Sequence, residues 1–578
     1  MNKNDAPQQR GFRALLRTIG RLHLPWVWIA IALALNLALN TLLLELPDTT
    51  ADLMSGTLDS AAVTKAILYY LSFGLLSFVV VAGQVQAQSF GVRRARGSLW
   101  NKMLGLRMDF FDRNDPSDLM SAVINDLGNA VQDFINILIY FIPDLYYIVM
   151  ALARIGRYHW ILAASCFAML PLKYLYALIM GRKFRKSTAQ VYGRIGVLTS
   201  FLADRISHLP LIKTYTNERA EDVSGETAAK GLLAANMKIV HLDNLLTAAA
   251  SVLGILQKFI VIVVAVVLLQ QGKIDIAMWL AFFLFSQNLF VRMDELFDLW
   301  VRIKGMQGSF DRTTGIMEAE DESGGTLPFP ETGDICFDHV TFTYPETDSP
   351  ALRDVSFTIP RGGAAAIVGL CGSGKTTAIS LLERFYRPDS GTVSLGETDI
   401  SRLSLADFRR HFAYVQQGAG CFGGTLREAL TYGIDRSVSD EEILAAAERT
   451  GFGEYLALCG GCLDTEVSSG GASMSGGQAQ RLALTRELLR GGDIILMDEP
   501  TSALDVRISA KIQETMDQVF AGKTRILITH DLRYARRYDR ILVLENGVLV
   551  GDGSHAELLR SCPTYRTMNQ NAGEEAAV

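Results

Sequence analysis

Residues Gly369-Leu370-Cys371-Gly372-Ser373-Gly374-Lys375-Thr376 satisfy the spacing G-x-x-x-x-G-K-[ST]. An apolar run, residues 364–368, precedes them, and a helical pattern, residues 377–385, follows from Thr377 onward. Glycines at these positions let backbone N–H groups close on phosphate oxygens, and the start of the helix adds a favourable dipole. In that setting Lys375 reaches β- and γ-phosphates, and Thr376 offers a hydroxyl to Mg²⁺. A second run, Ile494-Ile495-Leu496-Met497-Asp498-Glu499, is an apolar strand ending in two carboxylates. A buried parallel strand delivers such side chains at its C-terminal edge, where nucleotides bind. Asp498 then suits Mg²⁺ and Glu499 suits an attacking water. The plainer reading, a strand ending in solvated acids, weakens beside a phosphate loop. Between the two lies Met474-Ser475-Gly476-Gly477-Gln478, another small-residue loop, ahead of a helical pattern over 478–489. One chain thus carries two phosphate-binding loops, and a simple explanation is that each nucleotide is held by one loop from each of two copies.

These motifs need a buried sheet to carry them, and only the C-terminal half of the chain has one. The chain has 578 residues, 49% apolar and 20% charged, which excludes disorder. Seven cysteines, sparse and odd in number, exclude a secreted disulfide scaffold, and a net charge of −6 gives no reason to expect nucleic acid. Six apolar stretches reach the length that spans a bilayer: residues 24–46, 61–87, 131–155, 160–179, 246–269 and 274–290. Beyond about residue 309 none recurs. Lys and Arg cluster before the first stretch, after the second and after the fourth, whereas residues 47–60 carry only Asp48, Asp52 and Asp59. Both termini are therefore expected on the cytoplasmic side. Arg154 and Arg157, in a short outer turn, break that pattern. No cleavable signal peptide is visible. The long connections after the second and fourth stretches read as helices continuing into the cytoplasm. The expected domains are an interfacial helix (1–22), a membrane domain (23–320), a linker (321–333), an α/β domain (334–570) and a tail (571–578).

Taken in order, these motifs resemble the ATP-binding-cassette (ABC) transporters of the exporter type. Such half-transporters fuse six transmembrane helices to one nucleotide-binding domain, and the resemblance covers nearly the whole chain. It implies an α-helical membrane domain plus an α/β P-loop ATPase domain, with ATP and Mg²⁺ bound. Met474–Gln478 is similar to the signature L-S-G-G-Q, so Ser475, Gly476, Gly477 and Gln478 are expected to bind nucleotide, with Ser475 and Gly477 acting on ATP held by the partner. Tyr344 matches the aromatic residue that stacks on adenine. Gln417 matches the glutamine that senses Mg²⁺ and the lytic water. Asp505, in Ser502-Ala503-Leu504-Asp505, matches the loop that crosses the dimer interface. His530 matches the switch histidine, so Glu499, His530 and Gln417 form the implied catalytic set. Residues 110–114 with Asp126, and residues 209–218, resemble the two cytoplasmic elbows, the second of which typically docks on the partner. The implied function is ATP-driven transport of a small molecule, peptide or lipid-like substrate across the cytoplasmic membrane by a dimer, in the direction of export. Uptake of metal–siderophore complexes and an ATP-gated channel remain open within the same resemblance, as does homodimer against heterodimer.

Two departures stand out: Ser469 where the family usually has Glu before the signature, and Gln416 where Pro is commoner. The first keeps open a degenerate second site. In the membrane half, Asn36, Asn40, Asp144, Lys258, Gln287 and Arg292 are polar groups within apolar stretches. They read either as a polar path for cargo or as interhelical glue, with Asp144 pairing Lys258, and Arg292 pairing Asp294 or Glu295. Lys173 reads as an interfacial side chain reaching for water. Tyr140, Phe141, Tyr146 and Tyr147 read as packing residues before they read as a pocket. Cys459-Gly460-Gly461-Cys462 supplies two thiols where a structural zinc takes four ligands, and reads as a loop.

Overall fold

The computed structural model describes residues 12–55, 60–345, 347–416, 420–468, 474–501 and 506–575. Contacts divide the chain into two units, Met1–Leu104 with Ser117–Glu318, and Gly105–Pro116 with Ala319–Val578.

The first unit is helical. A short α1 (Phe12–Arg21) precedes α2 (Trp26–Ser55) and α3 (Ser60–Leu104); α4 (Met108–Asp112) belongs to the second unit. Then come α5 (Pro116–Ser121), a π turn (Ala122–Asp126), α6 (Leu127–Tyr158), α7 (Trp160–Phe167), α8 (Leu170–Ser207), α9 (Leu209–Thr214), α10 (Glu218–Gln270) and α11 (Ile276–Glu318). Among the described residues, five helices are long and apolar enough to cross a membrane, and a shorter apolar one covers Trp160–Leu175. The fourth expected stretch is therefore not one uninterrupted helix. Pro171 has no N–H to give the Phe167 carbonyl, and α7 ends at Phe167. The expected loop over residues 47–60 is helical as far as Ser55, with Pro47 inside α2.

Arg154 explains its own exception to the charge pattern. It donates to the Leu44 carbonyl and to Asp48, both at 2.8 Å, and pairs with Glu45. Helices α2, α6 and α11 pack around Leu44, Tyr147, Ile155, Phe282 and Phe285. Helix α8 pairs with α10 instead. That hairpin leaves Ile195, Leu202, Leu233, Met237 and Leu245 exposed.

The second unit holds β1 (Ile335–Phe342), β2 (Leu352–Ile359), β3 (Ala364–Val368), α12 (Lys375–Leu382), β4 (Ser390–Leu395), β5 (Thr398–Asp399), α13 (Leu405–Arg410) and β6 (Phe412–Val415). It continues with β7 (Gly424–Thr425), α14 (Leu426–Thr431), α15 (Asp440–Thr450), α16 (Gly453–Leu458), β8 (Glu466–Val467), α17 (Gly476–Arg490) and β9 (Ile494–Asp498). The chain finishes through α18 (Val506–Val519), β10 (Thr524–Ile528), α19 (Leu532–Ala535), β11 (Arg540–Glu545), β12 (Val548–Gly553), α20 (His555–Ser561) and α21 (Pro563–Glu575).

Strand order is β2-β1-β4-β5 in an antiparallel sheet and β12-β11-β3-β10-β9-β6 in a mainly parallel one. Alternation along β3 shows why both faces of the larger sheet are covered. Ala365 and Ile367 join the core shared with Phe337, Val355 and Leu381, while Ala366 and Val368 face Met497, Ile512 and Phe520. A third core, around Leu430, Ile443, Phe452 and Leu482, belongs to helices α14 to α17.

Candidate active site

Three neighbouring parallel strands end together. Ile528 of β10 pairs with Ile367 of β3 and with Asp498 of β9. The turns that follow therefore bring Gly369–Lys375, Asp498–Glu499 and Thr529–His530 to one sheet edge. In an open parallel sheet, this carboxyl edge is where ligands bind.

The loop after β3 is shaped by the absence of side chains. Added to Gly369, a Cβ would lie 2.3 Å from the Leu544 carbonyl and 2.4 Å from Ser373 Oγ. At Gly374, which caps α12 with φ 98°, it would lie 2.6 Å from the Ala351 carbonyl. Gly372 also has positive φ but faces open space. Lys375 is buried, and its Nζ donates to the carbonyls of Gly369 (3.0 Å) and Leu370 (2.9 Å). The ammonium is thus held inside the loop. Ser373 Oγ is buried without a hydrogen-bond partner among the described residues, a polar group left for a ligand to meet. The cradle fits a polyphosphate.

Asp498 is almost fully buried. Burial pushes its carboxyl above the ordinary Asp value, Glu499 adds to the rise, and a hydrogen bond from the exposed Thr376 hydroxyl opposes it. The Tyr414 hydroxyl, one strand further on, lies 3.4 Å from Asp498 Oδ2. Glu499 has φ 44°, a left-handed backbone conformation unusual for a side chain of its size, and its N–H donates to the Ile528 carbonyl at 3.0 Å. Its Oε1 lies 3.2 Å from Nδ1 of the exposed His530. The implied hydrolytic pair is therefore in contact.

Tyr344 sits beside this loop. Its hydroxyl lies 3.2 Å from Thr377 Oγ1, and its ring meets Tyr386 edge-on at 5.2 Å. Tyr386 in turn donates to Asp112 at the end of α4, 2.7 Å away. The first elbow is fastened further by the ion pair Arg107–Glu320 (3.2 Å) and by the Glu322 N–H on the Gly105 carbonyl (2.7 Å).

The signature opens α17, whose Leu482 joins the third core and whose Leu484 joins the sheet core with Val368 and Met497. Ser475 caps α17 reciprocally with Gln478: the Ser475 N–H donates to Gln478 Oε1 (2.8 Å), and the Gln478 N–H to Ser475 Oγ (3.4 Å). Ser475 and Gly476 are exposed, and Gly477 is buried. Helix α17 packs on α14 and α15, not in the core that holds α12. Gln417, Asp505 and Ser469 lie outside the described residues. Cys371 is exposed in the phosphate loop, and Cys459 and Cys462 flank a turn after α16.

Sequence reasoning gave no role to Tyr386, Tyr414 or Glu383. The signal for Tyr414 was its motif, one residue before Val415-Gln416-Gln417. For Tyr386 it was the end of the helix that follows the phosphate loop.

In the membrane half, several expectations are corrected. Asn36 Nδ2 donates to the Ile139 carbonyl at 3.1 Å. That carbonyl is the one Pro143, four residues on, cannot serve. Asn40 Nδ2 donates to Asn36 Oδ1 and O, at 2.9 and 3.0 Å, and both asparagines are buried. They brace a proline break. Asp144 pairs with Arg292 (3.3 Å), not with Lys258, which is exposed and has no ion pair among the described residues. Arg292 also meets Glu295 (2.8 Å), whereas Asp294 takes Lys173 (2.7 Å). Lys173 is buried in that pair, so it is no interfacial side chain reaching for water. Gln287 is half-buried. Tyr147 is fully buried as packing, while Phe141 is exposed.

Comparison with known proteins decides the family. The ABC transporter transmembrane region matches residues 26–293, and the ABC transporter domain matches residues 352–502. This chain belongs to the ABC transporters. It is an exporter-type half-transporter, with membrane and ATPase domains fused in one multi-pass membrane protein. An ATP-dependent lipid A-core flippase from Thiobacillus denitrificans is 27% identical over 86% of this chain and 86% of its own. A multidrug resistance ABC transporter ATP-binding and permease protein from Lactococcus lactis is 25% identical over 82% and 80%. A solved bacterial Atm1-family ABC exporter with ATP bound shares the fold, with TM-score 0.84 at 22% identity over 97% and 99% of the two chains. The transporter binds ATP, and its hydrolysis is coupled to transport.

At this sheet edge the phosphate loop, Lys375, Glu499 and His530 stand together, with Lys375 Nζ held on the Gly369 and Leu370 carbonyls and Glu499 in contact with His530.

Proposed function

We propose that two copies of this chain form a pump in the cytoplasmic membrane, with ATPase domains and both termini in the cytoplasm, that exports an amphipathic or lipid-like small molecule. The carrying observation is the division of the phosphate-binding parts within one chain. Gly369–Thr376, Asp498, Glu499 and His530 gather at one sheet edge, while Ser475 and Gly476 stand exposed at the start of α17. A partner copy supplies its signature to this chain's ATP and receives the same in return. The second elbow supports the same reading: around α9, Leu209, Leu211 and Tyr215 are exposed, whereas Asp112 of the first elbow is bonded to Tyr386.

Thr376 and Asp498 fit Mg²⁺, being oxygen donors already joined at the phosphate loop. Bound there, Mg²⁺ supplies charge neutralisation at the phosphates. Gln417 and Asp505, outside the described residues, are added to this site by their motifs alone. The relatives' names, a lipid flippase and a multidrug transporter, support export over uptake.

The test uses inside-out vesicles containing the full-length protein. ATP-dependent accumulation in the lumen, abolished by Glu499→Gln, is the expected result. ATP-dependent depletion of preloaded vesicles would reverse the direction. Steady conductance with ATP bound and no net accumulation would make it a channel.

A further inference from the structure

Asp144 is fully buried, and neither of its carboxylate oxygens has a hydrogen-bond partner among the described residues. Its one cation is Arg292, 3.3 Å away, and the same Nη1 gives its better contact, 2.8 Å, to Glu295. Two carboxylates therefore share one guanidinium. Two other cations on the helices nearby are already committed. Lys173 is paired with Asp294, and Arg154 with Glu45 and Asp48. The Tyr140 hydroxyl donates to Gln84, so it does not serve Asp144. A buried carboxylate set against a second carboxyl, Glu295, with one shared guanidinium between them is costly, and within a membrane span it marks a functional site. The cluster is not sealed: the side chains of Arg292 and Glu295 are 18% and 45% exposed.

We propose that Asp144 and Glu295, bridged by Arg292, form the site that receives a protonated amine of the cargo. This rests on the export reading and names its substrate class. The incoming ammonium displaces Arg292 from Asp144, supplies the N–H donors that carboxylate lacks, and balances the second negative charge. Glu295, the more exposed carboxylate, meets the amine first. A quaternary cation carries the charge without donors and satisfies the site less well.

The experiment measures binding of a dansyl fluorophore with an aminopentyl tail to the full-length protein in lipid nanodiscs. The same fluorophore with its tail amine acetylated is the neutral control. The wild type is expected to prefer the amine by about tenfold or more. Asp144→Asn removes that preference while leaving the neutral probe's binding unchanged, and Glu295→Gln removes part of it. Arg292→Gln shifts the amine the other way, to tighter binding, because the competing cation is gone. Should Asp144→Asn fail to fold, the opposed shifts of Glu295→Gln and Arg292→Gln decide the question. Equal binding of both probes by the wild type overturns the site. So do shifts of the same sign in all variants, which mean lost packing, and an unchanged preference in both carboxylate variants, which means that Asp144 holds only a proton. Equal ATP-driven accumulation of both probes, lost in Glu499→Gln, removes the amine site but leaves the export reading intact. Amine preference without any ATP-driven flux does the reverse.

Discussion

The two halves of this transporter treat their buried polar groups differently. At the ATP site, groups that await a ligand mostly have internal partners: Lys375 rests on two carbonyls, Asp498 on Thr376, and Ser475 on Gln478. In the membrane half, Asn36 repairs a proline break, whereas Asp144 is left with half of one guanidinium. The ATP site is pre-organised around a fixed ligand. The membrane site leaves electrostatic demand unmet, and such demand is satisfied by whatever enters.

The largest expected effect falls on the organised side. Glu499→Gln should lower ATP hydrolysis by about 10²–10⁴-fold while ATP stays bound, as read by turnover and nucleotide-trapping assays. Wild-type-like turnover would show that its contact with His530 is incidental. Lys375→Ala should weaken ATP binding by roughly 10- to 100-fold, since it removes a charged donor from the loop. A fluorescent nucleotide titration reads this, and unchanged affinity would mean that the backbone cradle suffices alone.

Stability sharpens the contrast. Glu383, at the end of the phosphate-loop helix, is buried, and its carboxyl is pushed by burial from 4.5 up to about 7. The folded state therefore binds more protons than the unfolded chain, so stability declines as pH rises from about 5 to 7 and levels off above. Glu383→Gln should stabilise the ATPase unit at pH 8 by up to about 3 kcal/mol, and the gain should vanish near pH 5. Thermal unfolding of the purified transporter at both pH values tests this. An equal shift at both would assign the effect to packing. Asn36→Ala should cost about 1–3 kcal/mol, because the Ile139 carbonyl loses its donor. Cargo selectivity should not change, and altered selectivity would return Asn36 to the transport path. The smallest effect is expected for Tyr386→Phe, about 1 kcal/mol from one hydrogen bond to Asp112. It should appear as transport falling relative to hydrolysis, and parallel losses would place Tyr386 at the nucleotide.

What was legible in the sequence follows the same divide. The strand Ala364–Val368 and the carboxylates ending Ile494–Asp498 are readable because local pattern and backbone chemistry coincide there. Glu499's positive φ and its approach to His530 depend on the register of β9 and β10, which no local pattern encodes. In the membrane half, Pro143 announces a free carbonyl at Ile139, but not that Asn36 of a distant helix fills it. Arg292, not Lys258, meets Asp144 because α6 packs on α11, a tertiary choice that the apolar pattern of each helix does not encode. The break at Pro171 was written in the chain, yet the apolar run around it concealed it.

The first elbow has a practical corollary. Gly105–Pro116 belongs with Ala319–Val578 although some two hundred residues of chain separate them. A soluble fragment cut at the linker would lack its own keystone: Tyr386 would lose Asp112. Nucleotide affinities taken from such a fragment would describe an engine with its drive shaft removed, and inhibitors selected against it would be free to settle where the intact pump has no vacancy.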